Sequence, residues 1–240
     1  MKRLSWLLHH GFRQPLRLFF KLGYGLEVEG AGNCPRRGGC VVVSNHQSMF
    51  DPPLLGVALP RTLIYTPRQS LGGSFIYRLL TKGLDMEPVA RDGRDVGAAR
   101  RMIARVRGGE VLVLFPEQTR TRDGMLGRIT PGFHMVASHA PAPVLPVVIE
   151  GAFDAWPRER KLPHLFRKIR VRVGEPFEVK ELKRDEAARR VEAAFAALGA
   201  KVSQNRPQNG IGPGARAPDA AERDAADESA GATREAPGRS

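Results

Sequence analysis

Apolar residues recur along the chain with two periods, and this predicts strands that alternate with helices. Short β-branched runs bounded by Gly, Pro or polar residues are typical of buried strands, and apolar positions three and four apart are typical of helices. The predicted strands lie in "LEVEG", "CVVVS", "TLIYTPR", "DMEPVAR", "EVLVLFPE", "APVLPVVIEG" and "KIRVRVGEPFEV". The predicted helices lie in "DPPLLGVAL", "SFIYRLLTKG", "DVGAARRMIARVRGG", "PGFHMVASHA" and "KRDEAARRVEAAFAALGAKV".

This order of elements predicts an α/β fold with a mixed, mainly parallel sheet flanked by helices, formed by residues 25–202. Residues 1–24 precede it as an amphipathic helical segment that we expect to dock on a membrane. Residues 203–240 are rich in Gly, Pro, Ala and mixed charge, and no large apolar residue follows Ile211. A segment of this composition buries too little apolar surface to fold, so we expect a disordered tail.

The N-terminal segment carries apolar and basic residues on opposite sides of a helical wheel. Its apolar side holds Leu4, Leu8, Phe12, Leu16, Leu18, Phe19, Leu22 and Gly23, and its basic side holds Lys2, Arg3, His10, Arg13, Arg17 and Lys21. Gly11 and Pro15 predict a break or kink that gives two short helices. Such a pattern is typical of helices that lie in a membrane interface. The alternative is an ordinary amphipathic helix packed on the domain.

The charge of the chain indicates an anionic partner. The 240 residues carry a formal net charge of +13, and the predicted tail contributes none of the excess because it holds five Arg against six Asp or Glu. A basic globular body favours nucleic acid, an anionic membrane surface or a phosphorylated substrate as partner.

The lack of a long apolar run and the low number of cysteines both indicate where the protein is located. No apolar run approaches the roughly 20 residues that span a bilayer, and no signal peptide is recognisable at the start. The two cysteines, Cys34 and Cys40, are too few for a disulfide framework or a four-cysteine metal site, and we expect reduced thiols. We therefore expect a peripheral protein on the cytoplasmic face of the cell membrane.

Unusual polar residues follow three of the predicted strands. His46 comes directly after "VVVSN", and Asp51 follows it by five positions at the start of a predicted helix. Glu117 and Arg120 follow "EVLVLFP", and Arg91 follows "DMEPVA". In open α/β sheets, sites form beyond the carboxyl ends of the strands, so we expect these residues to share one edge.

The residue types at this edge suggest acid–base chemistry on a phosphorylated substrate. A histidine accepts a proton near neutral pH, and a carboxylate such as Asp51 orients the ring and stabilises the imidazolium. Arginine binds phosphate through its fork of donors, although an arginine in so basic a protein is more often a solvated surface charge. The sequence lacks a Gly-x-Ser-x-Gly elbow, a Gly-rich phosphate loop with Lys-Ser/Thr and clustered metal ligands. We therefore expect no metal, and direct attack by a substrate hydroxyl.

Four blocks in order resemble the glycerolipid acyltransferase family, the group that contains the 1-acyl-glycerol-3-phosphate acyltransferases. They are "NHQSMFD", "MEPVAR", "FPEQTRTRDG" and "VLPVVIEG", and the likeness extends from about Leu26 to Val179. The first block is similar to the family's Asn-His-x4-Asp motif, and the third to its Phe-Pro-Glu-Gly-Thr-Arg motif. Gln118 stands where the family most often has Gly. The second block matches mainly at its final arginine.

The resemblance implies a role for each matching residue. His46 is the implied general base and Asp51 its orienting partner, and Asn45 in the same block has an implied substrate-binding role. The match implies that Arg91 binds the substrate phosphate. It also implies that the glycerophosphate site contains Glu117, Thr119 and Arg120. Pro146 is placed near the acyl-donor pocket. The implied co-substrate is acyl-CoA or acyl carrier protein, with no further cofactor.

The implied reaction moves a fatty acyl group to the hydroxyl of lysophosphatidic acid at an anionic phospholipid surface, without an acyl-enzyme. The same chemistry on glycerol-3-phosphate, a lysophospholipid or a lyso-aminolipid is an alternative. A non-catalytic basic protein that binds membrane or nucleic acid is a further alternative, but it gives no reason for His46, Asp51 and Glu117 at strand ends. We therefore expect no nucleic-acid partner.

Overall fold

The structure is a computed structural model that describes residues 2–66, 85–86 and 96–202. The predicted helix in "SFIYRLLTKG", Arg91 and the predicted tail, residues 203–240, lie outside the described residues. The described strands are β1 Glu27–Glu29, β2 Cys40–Ser44, β3 Leu63–Tyr65, β4 Asp85–Met86, β5 Val111–Leu114, β6 Val144–Glu150 and β7 Arg170–Val173. The described helices are α1 Lys2–Tyr24, α2 Asp51–Ala58, α3 Val96–Arg107, α4 Gly132–His139, α5 Ala152–Ala155 and α6 Arg184–Ala197.

The seven strands form one sheet in the order β1-β7-β6-β2-β5-β3-β4. Neighbouring strands are parallel except for β6 and β7, which are antiparallel. Val43 of β2 lies opposite Leu114 of β5 on one side and Pro146 of β6 on the other. The predicted mixed, mainly parallel sheet with flanking helices is confirmed. The carboxyl ends of β2 and β5 lie side by side.

The central strand β2 is buried at all five positions, as its unbroken apolar run predicts. Val42 belongs to a core cluster with residues of α1 and α2, such as Phe20 and Leu54. Val41 and Val43 point to the opposite face because side chains alternate along a strand. Helix α4 contacts both α3 and α6, and α4 packs on β2 while α6 packs on β6. The sheet is thus covered on both faces.

The turn between β6 and α5 requires a glycine. Gly151 has φ 81°, and a Cβ at this position would overlap the carbonyl oxygen of Lys168. The short helix α5 and the 3₁₀ turn Ala31–Asn33 were not predicted from the sequence. Both are too short to show a hydrophobic period.

Helix α1 is continuous, so the predicted break into two helices is wrong. Pro15 lies inside the helix, and both Pro15 and Gly11 are exposed. Proline removes the bond that the Gly11 carbonyl would accept four residues back. Since this carbonyl belongs to an exposed residue, water can replace the lost donor at little cost.

The second half of α1 packs on the domain through residues that the wheel did not place in its apolar stripe. Phe20 and Tyr24 are buried and meet Phe50 edge-on, with ring centroids 5.2 and 5.1 Å apart, and Phe50 in turn meets Trp156 at 4.9 Å. Arg13 donates to the Leu59 carbonyl at 2.9 Å, just beyond the end of α2. Of the described helices, none is long and apolar enough to cross a membrane.

Candidate active site

Two loops meet beyond the carboxyl ends of β2 and β5. The first, residues 45–50, runs from β2 into α2, and the second, residues 115–131, runs from β5 to α4. The backbone N–H of Thr121 donates to the His46 carbonyl at 2.8 Å, and the Gln47 side-chain amide donates to the Gly124 carbonyl at 2.9 Å. The predicted meeting of the two strand ends at one edge is present.

His46 and Asp51 form a direct pair. His46 Nδ1 and Asp51 Oδ2 lie 2.7 Å apart, with the histidine side chain 20% exposed and the aspartate side chain 0% exposed. A carboxylate only accepts, so the proton of the bond sits on Nδ1 and Nε2 carries the free lone pair. The ring also stacks on Phe115, with centroids 4.1 Å apart and planes inclined by 18°. Both contacts restrict how the ring can turn.

Asp51 also organises the turn that carries the histidine. Its Oδ2 accepts the backbone N–H of Gln47 at 2.6 Å and that of Ser48 at 2.8 Å. Its Oδ1 is buried, and no donor among the described residues reaches it. A buried carboxylate with one unpaired oxygen is stabilised by a positive charge that forms beside it. The geometry suits an imidazolium on His46.

Glu117 joins the two loops through backbone hydrogen bonds. Its Oε1 accepts the His46 N–H at 2.8 Å, and its Oε2 accepts the Gly127 N–H at 2.6 Å. Burial raises the pKa of the Glu117 carboxyl, and the two N–H donors oppose that rise. Both carboxylate oxygens are thus engaged by the protein. Glu117 supports the His46 turn in this way, and its implied role in the glycerophosphate site stays a prediction.

The side chain of Asn45 is hydrogen-bonded to the backbone of Ile149, and its implied substrate-binding role stays a prediction. Its side-chain amide donates to the Ile149 carbonyl at 2.8 Å and accepts the Ile149 N–H at 2.7 Å. The residue is only 4% exposed. Asn45 therefore extends the pairing of β2 with β6 beyond the end of β2, and in this way holds the start of the turn that carries His46.

Arg120 lies in the second loop, directly after Thr119, which a second arginine contacts. Burial, and then the like charge of Arg158, lower the pKa of Arg120. The negative charges of Asp51 and Glu159 oppose this by raising it. Arg158 Nη1 donates to Thr119 Oγ1 at 3.4 Å. Neither arginine forms an ion pair with a carboxylate within the described part of the chain. Two guanidinium groups in this arrangement are suited to hold an anion.

Sequence reasoning missed Arg158. It follows the fourth block in "DAWPRERK", and nothing there separates it from the many other basic residues. Only its position beside Thr119 and Arg120 distinguishes it. Arg91, predicted as a phosphate ligand, lies outside the described residues.

Pro146 lies inside β6, away from the meeting point of the two loops. It is buried opposite Val43, three residues before His46, and its carbonyl accepts the Gly174 N–H at 2.9 Å. Its ring fills the space beside Gly174, where an added Cβ would lie 2.9 Å from Pro146 Cγ. A place near the acyl donor stays a prediction for this residue.

Gln118 has a left-handed backbone, with φ 61°. Its N–H donates to the Phe115 carbonyl at 3.1 Å, and its side chain donates to Thr130 Oγ1 at 3.3 Å. A left-handed conformation costs a residue with a Cβ about 1–2 kcal/mol. This turn explains in physical terms why glycine suits the position that Gln118 occupies.

Replacing Gln118 by glycine is expected to raise the free energy of unfolding by about 0.5–1 kcal/mol. Relief of the left-handed strain outweighs the extra entropy of glycine in the unfolded chain. Urea unfolding measures the change. Gln118→Ala is the matched control, since it removes the same side chain but keeps the strain, and it should not stabilise. A glycine variant no more stable than the alanine variant would contradict the strain.

The site therefore contains a proton acceptor, a carboxylate that orients it and two guanidinium groups close by. Ser48 is not placed as a nucleophile, since its buried hydroxyl donates to the Trp156 carbonyl at 2.8 Å and accepts the Phe50 N–H at 3.1 Å. Cys40 is buried in β2, and burial raises the pKa of its thiol to about 12. This arrangement fits activation of a hydroxyl on an anionic substrate.

Known proteins resemble this chain in sequence and in fold. Residues 25–150 match the model of the family described as acyltransferase. The 1-acyl-sn-glycerol-3-phosphate acyltransferase of Pseudomonas aeruginosa is 30% identical over 150 residues, which are 57% of this chain and 53% of that protein. The chloroplastic enzyme of the same name from Brassica napus, BAT2, is 30% identical over 140 residues, which are 56% of this chain and 40% of that protein. The chain thus spans about half the length of these two relatives.

Two further proteins match over most of their length. The 1-acyl-sn-glycerol-3-phosphate acyltransferase of Bacillus subtilis is 24% identical over 192 residues, which are 79% of this chain and 92% of that protein. The crystal structure of the LPA acyltransferase PlsC from Thermotoga maritima superposes with a TM-score of 0.68 at 24% identity, covering 85% of this chain and 84% of that one. The second match supports the fold alone.

Proposed function

Because the chain belongs to the acyltransferase family, we propose that it transfers a fatty acyl group from an acyl thioester to the free hydroxyl of 1-acyl-sn-glycerol-3-phosphate, giving phosphatidic acid. The observation that carries this proposal is the His46–Asp51 contact of 2.7 Å at the edge where the loop of Arg120 meets the His46 turn. The Pseudomonas and Bacillus relatives are named for this reaction.

In the proposed reaction the acceptor hydroxyl binds His46 Nε2. The hydroxyl oxygen attacks the thioester carbonyl while Nε2 takes its proton, and Asp51 stabilises the imidazolium. The tetrahedral intermediate collapses with cleavage of the C–S bond, and the leaving sulfur receives the proton from His46. A positioned general base contributes about 10²–10⁴-fold, and alignment of the two substrates contributes further.

The acyl group passes directly from donor to acceptor in this proposal. The engaged hydroxyl of Ser48 and the buried thiol of Cys40 both argue against a covalent acyl-enzyme. The thiol that leaves belongs to coenzyme A or to acyl carrier protein, and no further cofactor takes part. Both donors present the same thioester to the attacking oxygen.

The phosphate of the acceptor is proposed to bind Arg120 and Arg158, with the Thr119 hydroxyl between them. An anion at this point relieves the repulsion between the two guanidinium groups and replaces water on each. Arg91 stays a predicted third ligand. A phosphate bound here would lie on the loop whose Thr121 N–H donates to the His46 carbonyl.

The second half of α1 is proposed to hold the enzyme against an anionic phospholipid surface at the cytoplasmic face of the membrane. Leu18 and Leu22 are more than half exposed, while Arg17 and Lys21 are also exposed on the same helix. An acceptor and a product that both carry acyl tails reside in such a surface.

A panel of acceptors and donors tests the proposal. We expect the purified chain to acylate lysophosphatidic acid faster than glycerol-3-phosphate, lysophosphatidylcholine or a lyso-aminolipid, with acyl-CoA or acyl carrier protein as donor. Transfer is measured by product formation at varied acceptor and donor concentrations. A folded protein that acylates none of these acceptors from either donor would disprove the proposed function.

Arg120→Gln tests the phosphate site. We expect the KM for lysophosphatidic acid to rise by about 10-fold or more, because a charge-assisted hydrogen bond is worth about 1.5–3 kcal/mol. The KM for the acyl donor should change little. Arg36→Gln is the control, since Arg36 is exposed in the loop before β2, at the opposite edge of the sheet. An effect of Arg120→Gln on the donor KM alone would contradict the assignment.

A further inference from the structure

Six large apolar side chains are exposed together around the second half of α1 and the loop of residues 157–168, which connects α5 to β7. They are Leu18, Phe19, Leu22, Leu162, Leu165 and Phe166, called here the docking surface. The backbone N–H of Phe166 donates to the Gly23 carbonyl at 2.8 Å. This hydrogen bond places Phe166 beside the end of α1, and a Cβ at Gly23 would lie 4.0 Å from Leu165 Cδ2.

Phe166 has the most unusual conformation in this group. Its φ is 61°, in the left-handed region, and the residue is 82% exposed. A bulky residue in this region is a genuine outlier, and such strain persists where the surroundings impose it and where function uses it. In water, the ring has little packing against the rest of the protein at this position. Burial of the ring in an apolar phase would lower its free energy.

The loop holds these side chains in a defined arrangement. The His164 N–H donates to the Ala155 carbonyl at 2.7 Å, and the Ile169 N–H donates to the Tyr24 carbonyl at 3.0 Å. The Trp156 indole donates to the Arg160 carbonyl at 2.9 Å. These bonds fasten both ends of the loop to α5 and α1, so its apolar tip is presented by a fixed frame.

The charge around the docking surface selects its partner. Residues 157–168 carry five Lys or Arg and one Glu, and Arg17 and Lys21 add two positive charges from α1. Arg160, Lys161 and Arg167 are all exposed. Apolar side chains within a basic rim match an anionic lipid surface. The apolar side chains contact the acyl chains, and the basic residues contact the negatively charged head groups.

We propose that the docking surface inserts into the interface of an anionic phospholipid bilayer, with Phe166 as a membrane anchor separate from α1. This proposal deepens the proposed function and rests on it for the reason why a membrane is needed. The same loop begins at the active site, since Arg158 contacts Thr119 and the Ser48 hydroxyl binds the Trp156 carbonyl. Insertion of the loop therefore brings the phosphate-binding arginines to the level of the lipid head groups.

Vesicle flotation with the full chain tests this anchor without any substrate. We expect binding to vesicles of phosphatidylglycerol and phosphatidylcholine, weaker binding to phosphatidylcholine alone, and about 10-fold or greater loss of affinity in Phe166→Asn. Asparagine tolerates the left-handed region, so the variant should fold. Phe166→Trp should retain binding. Met135→Gln, at an exposed side chain on α4, is the control and should bind like the parent chain.

Three results would overturn the anchor. The first is parental vesicle binding by Phe166→Asn alongside lost binding in Leu22→Gln, which would leave α1 as the anchor. The second is equal affinity for charged and uncharged vesicles. The third is a dimer in solution that Phe166→Asn dissociates, which would show that a second copy covers the surface.

Acyl transfer to acceptor dispersed in detergent micelles separates this inference from the proposed function. We expect Phe166→Asn to retain the parental kcat in micelles, because the ring does not touch the reacting groups. Loss of kcat there would show that Phe166 serves the active site directly and would overturn the anchor. Vesicle binding that depends on Phe166 in a chain without any acyl transfer would support the anchor and disprove the function.

Discussion

Replacing His46 by alanine is expected to lower kcat for acyl transfer by at least about 10²-fold, because the variant lacks the group that takes the hydroxyl proton. The free energy of unfolding should change by no more than about 1.5 kcal/mol, the scale of a lost aromatic contact such as the stacking on Phe115. Initial rates with saturating acyl donor and lysophosphatidic acid measure the first quantity, and urea unfolding measures the second.

A second histidine provides the control for this experiment. His139 is exposed at the end of α4, and its Nδ1 lies 2.8 Å from the Met135 carbonyl of the same helix. His139→Ala should leave kcat unchanged while removing the same side chain. Turnover close to the parental value in His46→Ala would rule out general-base catalysis by this residue.

Asp51→Asn is expected to lower kcat by about 10²-fold or more while the chain stays folded. An amide oxygen in the place of Oδ2 still accepts the N–H groups of Gln47 and Ser48. The negative charge that stabilises the imidazolium is lost, however, because the amide is neutral. Rates with saturating substrates and urea unfolding measure both effects.

Asp51→Ala separates the structural role of this carboxylate from its chemical role. It leaves two backbone N–H groups at the turn without their acceptor, which should reduce the free energy of unfolding by at least about 2 kcal/mol. Asp51→Asn should cost less stability than this while losing as much activity. Equal stability of the two variants would show that the carboxylate does not hold the turn.

The double variant His46→Ala with Asp51→Asn tests whether the two residues act as one unit. Asp51 acts on the reaction only through the histidine ring, so its replacement should have almost no further effect once that ring is gone. A double variant whose kcat falls by the product of the two single effects would mean that Asp51 acts independently of His46.

Local patterns predicted most of the architecture. The β-branched run of β2 and the periodic apolar positions of α3 and α6 depend only on neighbours along the chain, and the structure has these elements where they were expected. Because β2 and β5 are parallel neighbours, their carboxyl ends meet, which made the proximity of His46 and Glu117 predictable. The resemblance to the glycerolipid acyltransferases is confirmed at the level of the acyltransferase family.

The roles of individual polar residues were harder to predict. Asn45 and Glu117 have side chains that suit substrate binding, yet the backbone groups of Ile149, His46 and Gly127 engage them. Those partners lie up to 104 positions away along the chain. The pattern around a residue does not reveal which distant backbone group will face it.

Helix α1 also shows the difference between what a local pattern predicts and what tertiary packing decides. A helical wheel gives the angular position of each residue around α1. Packing against the domain decides which side of the helix is buried. Phe20 and Tyr24 took that place, and Arg13 turned inward to the Leu59 carbonyl. Leu18 and Leu22 stayed exposed as a result.

The sequence by itself determined the α/β class, the positions of the strand ends and the residue types placed there, since periodicity and turn chemistry are properties of short segments. Only the tertiary structure decided which of those residues act together. It placed Arg158 against Thr119, engaged the side chains of Asn45 and Glu117 with distant backbone groups, and brought the loop of Phe166 beside α1. Each of these contacts joins segments far apart in the chain, and the free energy of such a contact depends on packing that no local pattern contains.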